Sequence, residues 1–153
     1  MSQLREIMSM LSRKNKDNSP VVILGNFNID ARDETVAKRM KHNEYTRMLN
    51  TIKLEGYVMT DLIFQTYGEH IATYGDGDKV IIPKKDINSC KAIDYIISLV
   101  NENSGYTIVG QETKVLRFEA NGKGFNFLSP HFGVASDILL DRFVLKKLLI
   151  WLL

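Results

Sequence analysis

Apolar positions along the chain fall into short runs divided by polar stretches. Leu4, Ile7, Met8 and Leu11 keep an i, i+3, i+4, i+7 spacing, which predicts a short amphipathic helix. Lys14 to Pro20 is polar and ends in Ser-Pro, a loop. Val21–Leu24 is wholly apolar and rich in β-branched residues, and Gly25 closes it; it reads as a buried strand. A second helix is predicted from about His42 to Leu54 on Tyr45, Met48, Leu49 and Ile52, with Gly56 as its C-cap. Val58 to Phe64 fits a strand or a short helix, and periodicity does not choose. Tyr67 to Asp78, with three glycines and two aspartates, is loop. Strands are predicted at Ile93–Val100, at Tyr106–Val109 and Lys114–Phe118 around a break at Gly110, and at Phe132–Leu140, with a turn at Asn121-Gly122. Mixed short elements of this kind make a layered α/β or α+β domain rather than a bundle or a sandwich of strands alone.

Composition narrows the function classes. With 153 residues the prior is one domain. The net charge of +2 excludes a strongly acidic tail and a strongly basic nucleic-acid arm. The basic residues form only small groups, Lys38-Arg39 with Lys41, Lys84-Lys85 and Lys146-Lys147, which read as solvated surface. One cysteine, Cys90, forms no internal disulfide, and three histidines with one cysteine do not make a zinc scaffold. His42 and His70 read as surface residues, since neither has a second ligand at metal spacing. The first residues lack the apolar core of a signal peptide, so a cytoplasmic or peripheral-membrane location is expected. Ile138 to Leu153 is apolar but carries four charges, which fits a packed or surface helix better than a membrane span.

Three segments join an apolar run to polar residues, the arrangement that holds ligands at the rim of a sheet. The first is Gly25-Asn26-Phe27-Asn28, where Asn26 and Asn28 point the same way if the strand continues. The second is Ile93-Asp94-Tyr95-Ile96-Ile97, whose carboxylate needs a partner among β-formers. The third is Ser129-Pro130-His131-Phe132-Gly133-Val134, whose imidazole suits a carboxylate–histidine pair. Each alone also fits a plain turn, a strand-edge acid or a loop histidine.

Taken together and in that order, the three segments resemble the endonuclease/exonuclease/phosphatase superfamily. Tyr45 to Leu49 and Ala72-Thr73-Tyr74-Gly75-Asp76 look most like its neutral sphingomyelinase branch. The resemblance covers about residues 15 to 140. It implies an α+β fold, the C-terminal part of a four-layer α/β/β/α sandwich with facing, mostly antiparallel sheets. Residues 1–140 would be a truncated domain of this kind and 141–153 an apolar C-terminal helix. It implies Mg²⁺-dependent hydrolysis of a phosphodiester, in a phospholipid headgroup or a nucleic acid. Asn26, Asn28, Asp94 and His131 fall at catalytic positions, with Asn28 and His131 on the phosphate.

The chain departs from the family pattern. Asn26 stands where the family has an Asp that activates water, and an amide accepts no proton at neutral pH. Pro130 replaces an Asp of the metal or catalytic network. The family's N-terminal half, with its metal-binding Glu, has no counterpart before Gly25. No residue is therefore assigned as a metal ligand, and the departures argue against Mg²⁺ binding. Two readings stand: a weakened or inactive phosphodiesterase, and a non-catalytic fragment that binds a phosphorylated ligand or a partner protein. On the second, a partner covers the sheet face left bare by the missing half. A sphingomyelinase-like relative would also contact a membrane surface.

Overall fold

The structure, a computed structural model, describes residues 2–32, 43–75, 90–118 and 129–142. Strand β3 (Asp94–Asn101) is buried on both sides over most of its length, and that decides what packs around it. It pairs antiparallel with β1 (Val21–Asn26) and with β2 (Tyr57–Asp61), giving a three-stranded sheet in the order β1-β3-β2. Tyr95, Ile97 and Leu99 point to one face, where α1 (Ser2–Lys14) and α2 (Glu44–Ile52) cover them with Leu4, Met8, Met48 and Ile52. Burying each such side chain is worth about 1.5–3 kcal/mol, so this face is the core. Ile7, counted in the predicted stripe of α1, is exposed; the working face is Leu4, Met8 and Leu11.

Val21–Leu24 is not the buried strand its composition predicts. Val21 and Ile23 pack on the core, but Val22 is 37% and Leu24 67% exposed. Alternate side chains of a strand face opposite sides, and the helices cover only one of them. Among the described residues β1 has a single neighbour, so it is an edge strand. Val58 of β2 lies on the same open side at 53%.

Local chemistry sets the other boundaries. Asn43 caps α2, its side-chain oxygen accepting the Thr46 N–H at 2.7 Å. The helix ends with Lys53 as C-cap, and Gly56, predicted there, instead lies in the turn into β2 with φ +75°. Val58 to Phe64 becomes both alternatives in turn: β2 ends at Asp61, whose carboxylate caps α3 (Leu62–Tyr67) by accepting the Ile63 and Phe64 N–H groups. Tyr45 of α2 donates its hydroxyl to the same carboxylate at 2.9 Å, which ties α2 to the start of α3.

The two strands predicted around Gly110 are one, β4 (Tyr106–Leu116). A register shift between Gly110 and Glu112 absorbs the break as a bulge. β4 pairs antiparallel with β5 (Gly133–Arg142) in a second, two-stranded sheet. The side bearing Thr113 and Ser136, whose hydroxyls bond at 2.8 Å, is turned inward, while Glu112, Lys114 and Asp137 face water. β4 touches α3 and β3, so the two sheets meet over part of the side opposite the helices. β5 takes in Asp141 and Arg142, which the sequence reading gave to the tail helix. The rest of that tail, the Asn121-Gly122 turn, His42 and the three basic groups lie outside the described residues. The chain is thus a mixed α+β fold with two antiparallel sheets. Among the described residues no helix is long and apolar enough to cross a membrane.

Candidate functional site

Antiparallel pairing sets Asn26 directly opposite Asp94 at the end of the three-stranded sheet. Two segments 68 residues apart in sequence are joined there by side chains as well: Asn26 Nδ2 donates to Asp94 Oδ1 at 3.0 Å. The Asn26 side-chain oxygen, Oδ1, accepts the Asn28 N–H at 2.9 Å, a turn that ends the strand. Asn28 then takes a left-handed φ of 53°, which asparagine tolerates because its short polar side chain bonds locally. The strand geometry does not continue to Asn28, so the expected alternation of Asn26 and Asn28 fails, although Asn28 still lines the site. Gly25, with φ +146°, is the residue that lets the strand leave the sheet at this point.

His131 arrives from the start of β5. Its backbone N–H is held by Ser129 Oγ at 3.1 Å. Its Nδ1 lies 3.3 Å from Asp94 Oδ2 and 3.4 Å from Asn26 Nδ2, long contacts for a charged pair. The Asp94 side chain is 12% exposed and that of His131 41%, so the acid is sheltered and the imidazole open. A proton on Nδ1 serves the Asp94 contact and leaves Nε2 for a ligand. Asn26, Asp94 and His131 therefore form one bonded cluster, as expected of the three segments.

The segment that holds the cluster together stands out in the sequence only for its resemblance. Residues 72–75 run as a strip between the approach to β3 and the approach to β5. Thr73 N–H and Tyr74 N–H both donate to the Lys91 carbonyl, and the Phe132 N–H donates to the Thr73 carbonyl at 2.8 Å. Thr73 is fully buried, and its hydroxyl oxygen accepts the N–H groups of Ile93 and Asp94, each at 3.1 Å. Asp30 does similar work from the other side, one carboxylate oxygen accepting the N–H groups of Arg32 and Ala92. The Tyr95 hydroxyl meets the carbonyls of Ile29 and Ala92 from beneath, and burial pushes its ionisation far above the ordinary phenol range.

Beside the cluster lies a cavity of about 490 Å³ lined by Asn28, Asp30, Glu44, Tyr74, Lys91 and His131, with Ile93 at its wall. The His131 ring meets the Tyr74 ring edge-on at 4.9 Å, and Lys91 Nζ sits 5.7 Å from the centre of the Tyr74 ring. Lys91, Asp30 and Glu44 carry no signal in the sequence that separates them from ordinary surface residues; Tyr74 stands in the Ala72–Asp76 segment, and its backbone pairing brings Lys91 and His131 to it.

The Asn26–Asp94–His131 cluster does not suit Mg²⁺, which takes hard oxygen ligands. Among the described residues no three His, Cys, Asp or Glu side chains converge as a metal site. Both Asp94 oxygens are engaged by Asn26 and His131, the Asn26 oxygen by Asn28, and Pro130 offers no side-chain ligand. No protein-family model, curated protein or solved structure matches the chain.

A smaller histidine site departs from expectation. His70, read as a surface residue, is half-buried between the rings of Tyr45 and Phe64, at 4.6 and 4.7 Å. Burial lowers its pKa, against the pull of Asp61 and Asp30 and with a small push from Arg32.

Proposed function

We propose that this chain binds a phosphodiester in the 490 Å³ cavity and hydrolyses it weakly or not at all. The observation that carries the reading is the bonded cluster of Asn26, Asp94 and His131, whose histidine lines that cavity. His131 is oriented by a carboxylate and open to a ligand, which suits contact with a phosphoryl oxygen. Asn26 has no proton-accepting capacity, because its oxygen holds a backbone N–H and its nitrogen donates to Asp94. The missing general base is worth about 10²–10⁴-fold in rate. The four-layer sandwich belongs to the same proposal: helices cover one side of the three-stranded sheet and β4 approaches the other. So does the superfamily resemblance, with a phospholipid headgroup or a nucleic acid as the source of the diester.

The test pairs binding with turnover. The full chain is titrated with a dinucleoside monophosphate and with bis(nitrophenyl) phosphate, then assayed for hydrolysis of both and of sphingomyelin vesicles, with and without Mg²⁺. Binding without ordinary turnover supports the reading. Rapid Mg²⁺-dependent hydrolysis defeats the degenerate part, and no binding defeats all of it. Asn26→Asp sharpens the test, since it sets a second carboxylate about 3 Å from Asp94 Oδ1, where like charges repel. That variant alone is expected to gain a thermal-stability response to Mg²⁺.

A reading as a partner-binding fragment rests on a different observation, the exposed Val22 and Leu24 on an edge strand. Light scattering tests it: Leu24→Lys is expected to shift any self-association or adhesion while leaving phosphodiester binding intact.

A further inference from the structure

We propose that Lys91 anchors the bound phosphate, supplying the positive charge that the family resemblance assigns to a divalent cation. This rests on the phosphodiester reading above and adds which group neutralises the anion.

Tyr74 pairs through its backbone with Lys91 on one side and His131 on the other. Residues paired directly across strands project to the same side, so the three side chains form a row along the cavity wall. The Tyr74 ring sits in the middle, with the ammonium of Lys91 5.7 Å from its centre and the His131 ring packed edge-on at 4.9 Å. An anion beside this row meets the Lys91 ammonium on one side and, when the imidazole carries both protons, the His131 Nε2–H on the other.

Lys91 is partly buried, and among the described residues no carboxylate lies within ion-pair distance of its ammonium. The cavity also holds Asp30 and Glu44, which repel an anion from their own wall. Asp30 is fixed by two backbone N–H groups on one oxygen and makes no ion pair with Lys91 among the described residues. Lys91 and His131 stand on the two sides of Tyr74, so the basic groups of the cavity share one row. Asn26 and Pro130 stand where the resemblance has carboxylates, and Lys91, on the cavity wall beside His131, is placed to meet the charge on a phosphate. A lysine does this as a point charge that tolerates several phosphate orientations.

The experiment titrates the full chain with bis(nitrophenyl) phosphate in chelator and in excess Mg²⁺, read by calorimetry and by the His131 ring resonances. Wild type is expected to bind equally in both. Lys91→Met is expected to weaken binding by at least about tenfold and to flatten its salt dependence, and Lys91→Arg to stay within about threefold. Lys91 joins the strip through backbone groups, so both variants keep those bonds, and unchanged amide dispersion verifies the fold. Unaltered binding in Lys91→Met, or wild-type binding that requires Mg²⁺, overturns the proposal. If His131→Ala abolishes binding while Lys91→Met does not, the proposal fails and the phosphodiester reading survives. Wild type that binds neither bis(nitrophenyl) phosphate nor a dinucleotide ends both.

Discussion

The buried hydroxyl of Thr73 accepts the backbone N–H groups of Ile93 and Asp94 together, and so fixes the residue that orients His131. Its own carbonyl holds the Phe132 N–H, one residue past His131. A single buried residue therefore sets both ends of the Asp94–His131 contact, one through its hydroxyl and the other through its backbone carbonyl. Thr73→Val keeps the shape and removes the acceptor, leaving two N–H groups without it in a buried setting. An unmet buried donor costs about 1–3 kcal/mol, so a loss of at least about 2 kcal/mol is expected in urea unfolding. Thr73→Ser restores the acceptor and is expected to recover most of it. The His131 ring resonances should move in the valine variant and not in the serine one; equal spectra would show that Asp94 is placed by something else.

Tyr95 supplies the matching support from the core. Its hydroxyl proton is shared between the Ile29 and Ala92 carbonyls, and its ring packs against Phe27 and Tyr45. Tyr95→Phe keeps the packing and strips the donor from two carbonyls that frame the cavity's loops. A cost of about 1–2 kcal/mol is expected by thermal or urea unfolding. Hydrogen exchange should quicken at Ala31 and Phe27, whose N–H groups bond to Ala92 and Ile93. Protection unchanged at both amides would rule out this bracing role.

The sequence made the cluster legible where apolar runs ended in polar residues. Val21–Leu24 and the run after Asp94 are both strand-forming, and pairing them antiparallel puts Asn26 against Asp94. His131 was legible for the same reason, as a polar residue at a strand start. Lys91 was not, and Thr73 and Tyr74 showed only as part of a resemblance, because nothing local marks a loop residue that acts through pairing with two distant segments. Gly110 misled in the opposite sense: glycine breaks many strands, yet here the ladder to β5 is long enough to carry a bulge. Leu24 misled because an apolar run looks the same whether one or both of its faces are covered.

Glu44 offers a test whose sign is opposite to that of Lys91. It lines the cavity from the first turn of α2 and repels an anion held at Lys91 and His131. Glu44→Gln removes that repulsion, and phosphodiester affinity is expected to rise by about two- to fivefold at low salt, with the gain fading as salt screens the charge. Losing a negative charge at a helix N-terminus costs about 0.3–1 kcal/mol, so the variant should bind more tightly while unfolding slightly earlier. Weaker binding in Glu44→Gln would mean that this carboxylate contacts the ligand directly.

His70 sets a pH dependence that can be read apart from the phosphodiester site. Burial against Tyr45 and Phe64 is the main cause that holds its pKa below the ordinary 6.5, and the nearby Asp61 and Asp30 only partly offset it. The unfolded chain then takes up the proton more readily than the folded one. Folding stability from this group is complete above about pH 6.5 and falls as pH drops from there toward the lowered folded value. The other resolved acid, Asp17, is lowered by Ser19 from 3.8, so its contribution is lost only at much lower pH. His70→Phe keeps a ring between Tyr45 and Phe64 and cannot take a proton. The slope of melting temperature against pH, measured from about pH 7.5 to 5.5, is expected to be positive in wild type and flatter in His70→Phe. Equal slopes would mean that the ring is solvated in both protonation states and that its packing does not resist the charge.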